Sequence, residues 1–154
     1  MKVKEAMSRD PIGIDPEASV GTALDVMRSK RVRHLPVVDE AGTLVGIVTD
    51  RDLRHAAFAP AVQEFLSTRA HRRIRRLGET LENLRVRDVM TWAVVTTGPE
   101  VALLSAALVM LEGRVGSLPV VDHGRLIGLL TEQDVLKALM MEGKLAEFDQ
   151  GYMW

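Results

Sequence analysis

Leu44-Val45-Gly46-Ile47-Val48-Thr49-Asp50-Arg51-Asp52-Leu53 returns 82 residues later as Leu126-Ile127-Gly128-Leu129-Leu130-Thr131-Glu132-Gln133-Asp134-Val135. Reading outward, RVRHLPVVD (31–39) stands before the first stretch and RVGSLPVVD (114–122) before the second. Further upstream Pro16-Glu17 matches Pro99-Glu100, and VKEAM (3–7) matches VRDVM (86–90), now at an offset of 83. One residue has been lost from the turn in the second copy. The chain is therefore an internal repeat: two units of roughly 50 residues around a middle segment near residues 55–85.

Each copy carries the same succession of patterns. An extended stretch comes first, Pro11–Ile14 or Val94–Thr97. A helix follows, with apolar residues at Val20, Ala23, Leu24 and Met27, and at Leu103, Ala106, Ala107 and Met110. That i, i+3, i+4, i+7 spacing marks one buried helical face. Two short strands come next, Leu35–Val38 and Leu44–Val48 in copy one, joined by Asp39-Glu40-Ala41-Gly42-Thr43; the second copy turns through Asp122-His123-Gly124-Arg125. Gly in such short connections signals a hairpin. A second helix is predicted to begin near Asp50 and near Glu132. The fold class expected is mixed α/β (α+β): two βαββα units with pseudo-two-fold symmetry. Each has a sheet face too large to cover alone, so two copies packed face to face would bury it. Clefts between packed units are favoured ligand positions.

The bulk composition sets limits on function. Of 154 residues 47% are hydrophobic and 27% charged, ordinary for a globular protein. With no cysteine, disulfides and thiolate metal sites are excluded. The start, MKVKEAMSRD, has no signal-peptide core, and no run approaches the roughly 18 apolar residues of a membrane helix. A cytoplasmic protein without membrane attachment is the expectation. Net charge is −1, but residues 1–86 carry +3 and residues 87–154 carry −4. Much of that asymmetry lies in Arg69-Ala70-His71-Arg72-Arg73-Ile74-Arg75-Arg76. Five arginines in eight residues can hold phosphates, yet no nucleic-acid-binding motif surrounds them. Nucleic-acid or protein binding through this run is the alternative to small-molecule binding, not the leading expectation.

No Ser-His-Asp order, phosphate-binding Gly-rich loop or metal-ligand cluster is visible, so the chain does not read as an enzyme. His55, His71 and His123 lack metal-ligand spacing. Met7 and Met90 open the copies and read as core fillers. Trp92, Tyr152 and Trp154 are candidate interface aromatics, with Trp154 better read as part of a mobile terminus. The Thr-x-x-Asp helix starts have two meanings. In one, Thr49 and Asp52, like Thr131 and Asp134, form a capping box. In the other, the helix N-terminus faces a phosphate, and the carboxylate one turn in accepts the two hydroxyls of a ribose.

Two copies of Gly-φ-φ-Thr-x-x-Asp (φ apolar), each after a φ-Pro-φ-φ-Asp strand, resemble the CBS-domain family, which occurs in pairs as Bateman modules. The resemblance covers about residues 3–57 and 86–140, and the layout is similar to that of acetoin-utilisation (AcuB-like) CBS proteins. It implies tandem CBS motifs at 1–57 and 86–141, a helical Arg-rich linker at 58–85 and a tail at 142–154. It implies an adenosyl ligand (AMP, ADP, ATP or S-adenosylmethionine), with no obligatory cofactor. Asp52 and Asp134 would bind ribose hydroxyls, and Thr49 and Thr131 would meet phosphate. The stretches near Ile14 and Thr97 would offer backbone groups to adenine, while Val32, Pro36, Val115 and Pro119 would give apolar contact. Arg31, Arg33 and His34, with Arg51, would bring cations near the phosphates. Copy two has Gly116-Ser117 for Arg33-His34 and Gln133 for Arg51, so unequal sites are expected. The family also implies a homodimer, and regulation of a protein target in trans or through oligomer contacts.

Overall fold

The computed structural model describes residues 1–65, 79, 81–141 and 143. The Arg69–Arg76 run, Tyr152 and Trp154 lie outside the described residues. The chain divides into two compact units: Ile12–Val94, and Met1–Pro11 together with the chain from Val95 onward.

In the Ile12–Val94 unit, α2 (Val20–Lys30) is followed by β2 (His34–Val38), β3 (Leu44–Thr49) and α3 (Asp50–Phe65), with α4 (Val86–Val89) closing it. Helix α2 starts at Ser19, whose hydroxyl accepts the Thr22 N–H at 3.0 Å. Its end is a tight reversal in which the Val32 N–H reaches back to Met27 O at 3.0 Å and Arg31 sits left-handed at φ 55°. The expected helical face is the buried one: Val20, Ala23 and Met27 lie in the core with Leu35, Val37, Val48 and Leu53. β2 and β3 pair antiparallel, with His34 opposite Thr49 and Pro36 opposite Ile47. The turn between them places Gly42 at φ 78°, and the Asp39 carboxylate accepts the Ala41 and Thr43 N–H groups at 3.0 and 2.8 Å. Ile14 bridges β2 in parallel, its N–H donating to Pro36 O. A strand residue points its N–H and C=O to the same side, so the donor that Pro36 lacks would have faced this short edge. There a missing N–H leaves no ladder broken.

The other unit repeats the plan. It contains α1 (Val3–Ala6), β1 (Ser8–Arg9), α5 (Leu103–Gly113), β4 (Ser117–Asp122), β5 (Arg125–Thr131) and α6 (Glu132–Met141). The sheet order is β1-β5-β4, and Thr97 bridges β4 as Ile14 bridges β2. Its turn is a two-residue hairpin with His123 and Gly124 at φ 46° and 78°. Val3, Leu103, Met110, Leu118, Leu130 and Val135 lie in its core.

The opening segment of each repeat copy is packed in the unit that carries the body of the other copy. Val3 and Lys4 N–H groups donate to Val101 O and Pro99 O at 2.9 and 3.0 Å; Val86 and Arg87 do the same to Ala18 O and Pro16 O. The recurring Pro-Glu pairs acquire a role here. Glu100 binds Lys2 and Lys4 at 2.6 and 2.5 Å, and Glu17 binds Arg87 at 2.6 Å. The Lys2 and Lys4 ammonium groups hold the Glu100 carboxyl down to about 2. A depressed carboxylate contributes above its unfolded value and is lost as pH falls through the folded one. On so exposed a pair the contribution is small, and position matters more than energy.

Each methionine of the opening segments fills a groove that glycine leaves open. A Cβ on Gly46 would stand 2.5 Å from Met90 Sδ and 3.0 Å from Thr91 O. A Cβ on Gly128 would overlap Met7 Sδ and stand 3.0 Å from Ser8 O. Met90 is buried as a core filler should be, whereas Met7 is half-buried. The glycine of the Gly-φ-φ-Thr-x-x-Asp pattern therefore serves packing.

Candidate functional site

Both helix starts form the capping box in full. Thr49 Oγ1 donates to Asp52 Oδ2 at 2.7 Å, the Thr49 N–H donates to the same oxygen at 3.1 Å, and the Asp52 N–H donates back to Thr49 Oγ1 at 3.1 Å. In copy two the three distances are 2.6, 2.9 and 3.3 Å. The Thr hydroxyl proton is thereby committed to the carboxylate. Oδ1 of Asp52 and of Asp134 takes no hydrogen bond among the described residues. Since an ionised carboxylate has two oxygens and about four acceptor positions, each Asp caps its helix with one oxygen and has acceptor capacity left on the other. Capping and ligand binding are compatible at one residue.

The helix starts offer fewer free donors than a bare N-terminus. The Asp50 N–H is bonded to Arg33 O at 2.9 Å and the Glu132 N–H to Gly116 O at 3.1 Å. With Asp52 and Asp134 N–H also bonded, the N–H groups of Arg51 and Gln133 remain for an anion in the first turn. A phosphate at either helix start would depend on side-chain cations more than on backbone.

The structure brings several of the expected residues of each copy to one corner of its sheet. His34 stands opposite Thr49, and Ile14 binds Pro36, the residue opposite Ile47. Ser117 likewise stands opposite Thr131, and the Thr97 N–H donates to Pro119 O at 3.0 Å. Three details differ from the sequence-based picture. The N–H groups of Ile14 and Thr97 are committed to the sheet, so they have no donor to give an adenine edge. Of the residues on either side, Asp15 and Gly98 already have their carbonyls bonded to the Ala18 and Val101 N–H groups at 3.1 and 3.3 Å, which leaves the N–H groups of Asp15 and Gly98 and the backbone groups of Gly13 and Thr96 without a hydrogen bond among the described residues. Pro36 and Pro119 are fully buried, which leaves half-buried Val32 and Val115 as accessible apolar surface. Finally, Arg31, Val32 and Arg33 line a cleft of about 590 Å³ with residues of α2 and α3, and neither Thr49 nor Asp52 lines it. Arg51 is exposed on α3.

Among the described residues no helix is long and apolar enough to cross a membrane, and no cluster of three His, Asp or Glu side chains suits a metal. Trp92 is 66% exposed.

A CBS domain model matches residues 3–59 and again residues 86–141. A CBS domain-containing protein of Dictyostelium discoideum is 37% identical over 139 residues, covering 90% of each chain. The crystal structure of CBSX2, a CBS-pair protein of Arabidopsis thaliana, in complex with AMP aligns with a TM-score of 0.72 at 31% identity, covering 92% of this chain and 97% of that one. A Vibrio cholerae protein assigned to acetoin utilization (AcuB) aligns with a TM-score of 0.73 at 28% identity over 98% of both chains. The chain also matches inosine-5'-monophosphate dehydrogenases, but spans only 21–24% of their length.

Proposed function

The chain belongs to the CBS-domain family, with two copies of the domain, and from that premise we propose that it is a non-catalytic regulatory module for an adenosyl ligand. The observation that carries this reading is the duplicated Thr-x-x-Asp corner with its uncommitted Asp oxygen, supported by an AMP-bound relative of the same extent. The free oxygen of Asp52 or Asp134 accepts the ribose hydroxyls. Gly13 and Asp15, or Thr96 and Gly98, offer backbone groups to the adenine edge, and Val32 or Val115 gives the base apolar contact. In copy one, His34 and Arg51 bring positive charge toward a phosphate. Copy two has Ser117 and Gln133 there, so it takes a less charged adenosyl ligand such as S-adenosylmethionine, or none.

A nucleotide that binds only the folded state raises apparent stability by about 2.7 kcal/mol at 100 times its dissociation constant. For a chain of this size that is a melting shift of roughly 5–10 °C. AMP, ADP or ATP is expected to give such a shift in a thermal-shift assay, with one equivalent bound by calorimetry. If AMP, ADP, ATP and S-adenosylmethionine all leave the melting temperature unmoved while a polyanion raises it, the Arg69–Arg76 run rather than the corners is the binding element.

Ligand occupancy is reported through oligomer contacts or a partner protein. The exposed side of α5 and α6 supports a homodimer: Leu104, Leu108 and Leu111 recur at helical spacing and are 57%, 56% and 74% exposed, beside Leu136 and Met140. An apolar stripe of this kind is an interaction surface, and without charges it is complementary to itself. Leu108→Glu is expected to turn a dimer into a monomer in sedimentation velocity. An unchanged sedimentation coefficient would remove this face from the interface.

A further inference from the structure

The two opening segments are near copies but are not held alike. Met1–Pro11 packs with the chain from Val95 onward, yet its covalent connection at Pro11 leads into the Ile12–Val94 unit. Non-covalent contacts alone keep it in place. These are the backbone bonds of Val3 and Lys4, a bond from the Leu103 N–H to Met1 O at 3.1 Å, the pairing of Ser8 and Arg9 with β5, the Glu100 ion pairs, and Val3 and Met7 against the core. Val86–Val89, by contrast, is continuous with the unit whose groove Met90 fills. The exits differ too. Asp10 stands left-handed at φ 49° directly before Pro11, where an extended backbone is preferred; its counterpart Ala93 has no such φ. Leaving the groove frees Asp10 from that position.

The thioethers also differ in access. Met27, Met90 and Met110 are buried in the cores, Met90 at 6% exposure. Met1, Met140 and Met141 are exposed and belong to neither core. Among the described residues Met7 is the methionine that both packs on a core and is open to solvent, being half-buried. Its groove has no room for a further atom on the Gly128 side: a Cβ there would overlap Sδ, and Ser8 O lines the same space. An oxygen added to the sulfur is a strong acceptor facing a carbonyl, and it reaches water only if the side chain leaves the groove.

The structure assigns Met7 as a reversible oxidation site for a peroxide-class oxidant, whose sulfoxide releases Met1–Pro11 and opens the Gly128 groove. The Sδ lone pair attacks one peroxide oxygen and the O–O bond breaks. That oxygen stays on sulfur, and the other leaves with both hydrogens as water. Met7 loses two electrons and the peroxide gains them. A methionine sulfoxide reductase with a thiol reductant reverses the step, returning the oxygen as water and leaving a disulfide on the reductant. Met90, in the same sequence pattern, is protected by burial, so the response belongs to one segment only.

The test is a graded dose of hydrogen peroxide on the full chain, with sulfoxides located by peptide mass spectrometry and backbone opening followed by hydrogen exchange. Met7 is expected to oxidise at doses that leave Met90 intact. Exchange of the Val3 and Lys4 N–H groups should then quicken about tenfold or more, the effect of making an apolar anchor polar. Val86 and Arg87, bonded in the same way in the other unit, should stay slow. Treatment with sulfoxide reductases of both epimer specificities restores slow exchange. Met7→Leu keeps the packing and should remain slow after the same dose, although Met1, Met140 and Met141 still oxidise. Met7→Gln introduces a polar end without oxidant and should exchange fast from the start. Equal oxidation of Met7 and Met90 overturns the assignment, as does a Met7 sulfoxide with unchanged exchange. Peroxide-driven opening in Met7→Leu would place the effect on another methionine, and slow exchange in Met7→Gln would show that a polar group fits the groove; either result overturns it too.

Discussion

Asp52→Ala is expected to abolish the melting-temperature response to AMP while lowering the ligand-free melting temperature by only a few degrees. The two effects have separate origins on the same carboxylate. One oxygen accepts the Thr49 hydroxyl and N–H; losing this cap costs about 1 kcal/mol, or roughly 2–4 °C for a chain of this size. The other oxygen accepts the ribose hydroxyls, and hydrogen bonds to a charged group are worth about 1.5–3 kcal/mol each. Two of them set an affinity loss on the order of 100-fold or more. Thr49→Ala is the matching control. It loses the cap and keeps the carboxylate, so it should melt lower and still respond to AMP. If Asp52→Ala and Thr49→Ala respond alike, the carboxylate does not hold the ribose. Asp134→Ala reports on the second corner in the same way, with S-adenosylmethionine as the titrant.

Gly46→Ala is expected to destabilise the chain by about 1–3 kcal/mol, the usual cost of forcing extra volume into a packed core. Two residues oppose the new methyl group. Met90 Sδ belongs to a flexible side chain and can retreat. Thr91 O cannot, because Thr91 and Ile47 exchange two backbone bonds at 2.9 and 3.1 Å. Met90→Ala alone leaves a cavity and costs about 2–5 kcal/mol. Together the two changes should cost less than their sum, since each removes part of what the other crowds. That coupling is read from a double-mutant cycle in urea. Strict additivity, or a Gly46→Ala melting temperature within a degree of the parent, would mean that Met90 does not occupy this groove. Gly128→Ala with Met7→Ala repeats the test in the other unit.

Much of the fold was legible because periodicity and turn chemistry are local. Val20, Ala23 and Met27 were placed in the core from spacing alone. The hairpins were readable from Gly42 and Gly124, whose positive φ few other residues tolerate. The helix starts at Asp50 and Glu132 lie where the Thr-x-x-Asp pattern put them. The partnership of the opening segments was not readable. VKEAM and VRDVM are near copies and so are the grooves at Gly46 and Gly128, so sequence similarity cannot tell which methionine fills which groove. The corner residues were recovered unevenly for a related reason. Thr49 and Asp52 act through short-range contacts that a spacing of three dictates. Whether the side chain of Arg33 faces that corner or the α2–α3 cleft depends on packing between elements. The burial of Pro36 and Pro119, which were expected to offer apolar contact, is likewise a tertiary effect.

The exchange of opening segments also sets an order on assembly during synthesis. Domains complete as units from the N-terminus onward while the chain emerges. The Ile12–Val94 unit is continuous, so every contact it needs exists once Val94 has been made. The other unit is interrupted: Val3 and Met7 are made first, and their partners around Leu103, Gly128 and Leu130 come more than ninety residues later. For that interval Met1–Pro11 has no groove of its own to enter, while Gly46 stands open until Met90 arrives. The near identity of the two opening segments then permits a transient mispairing, Met7 over Gly46, that Met90 must displace. A fragment cut at the repeat boundary, beginning at Val86, would carry α4 without the Gly46 groove and α5 without Val3. The heritable repeat and the unit that folds are offset by one short segment, and truncations of this chain should respect the second.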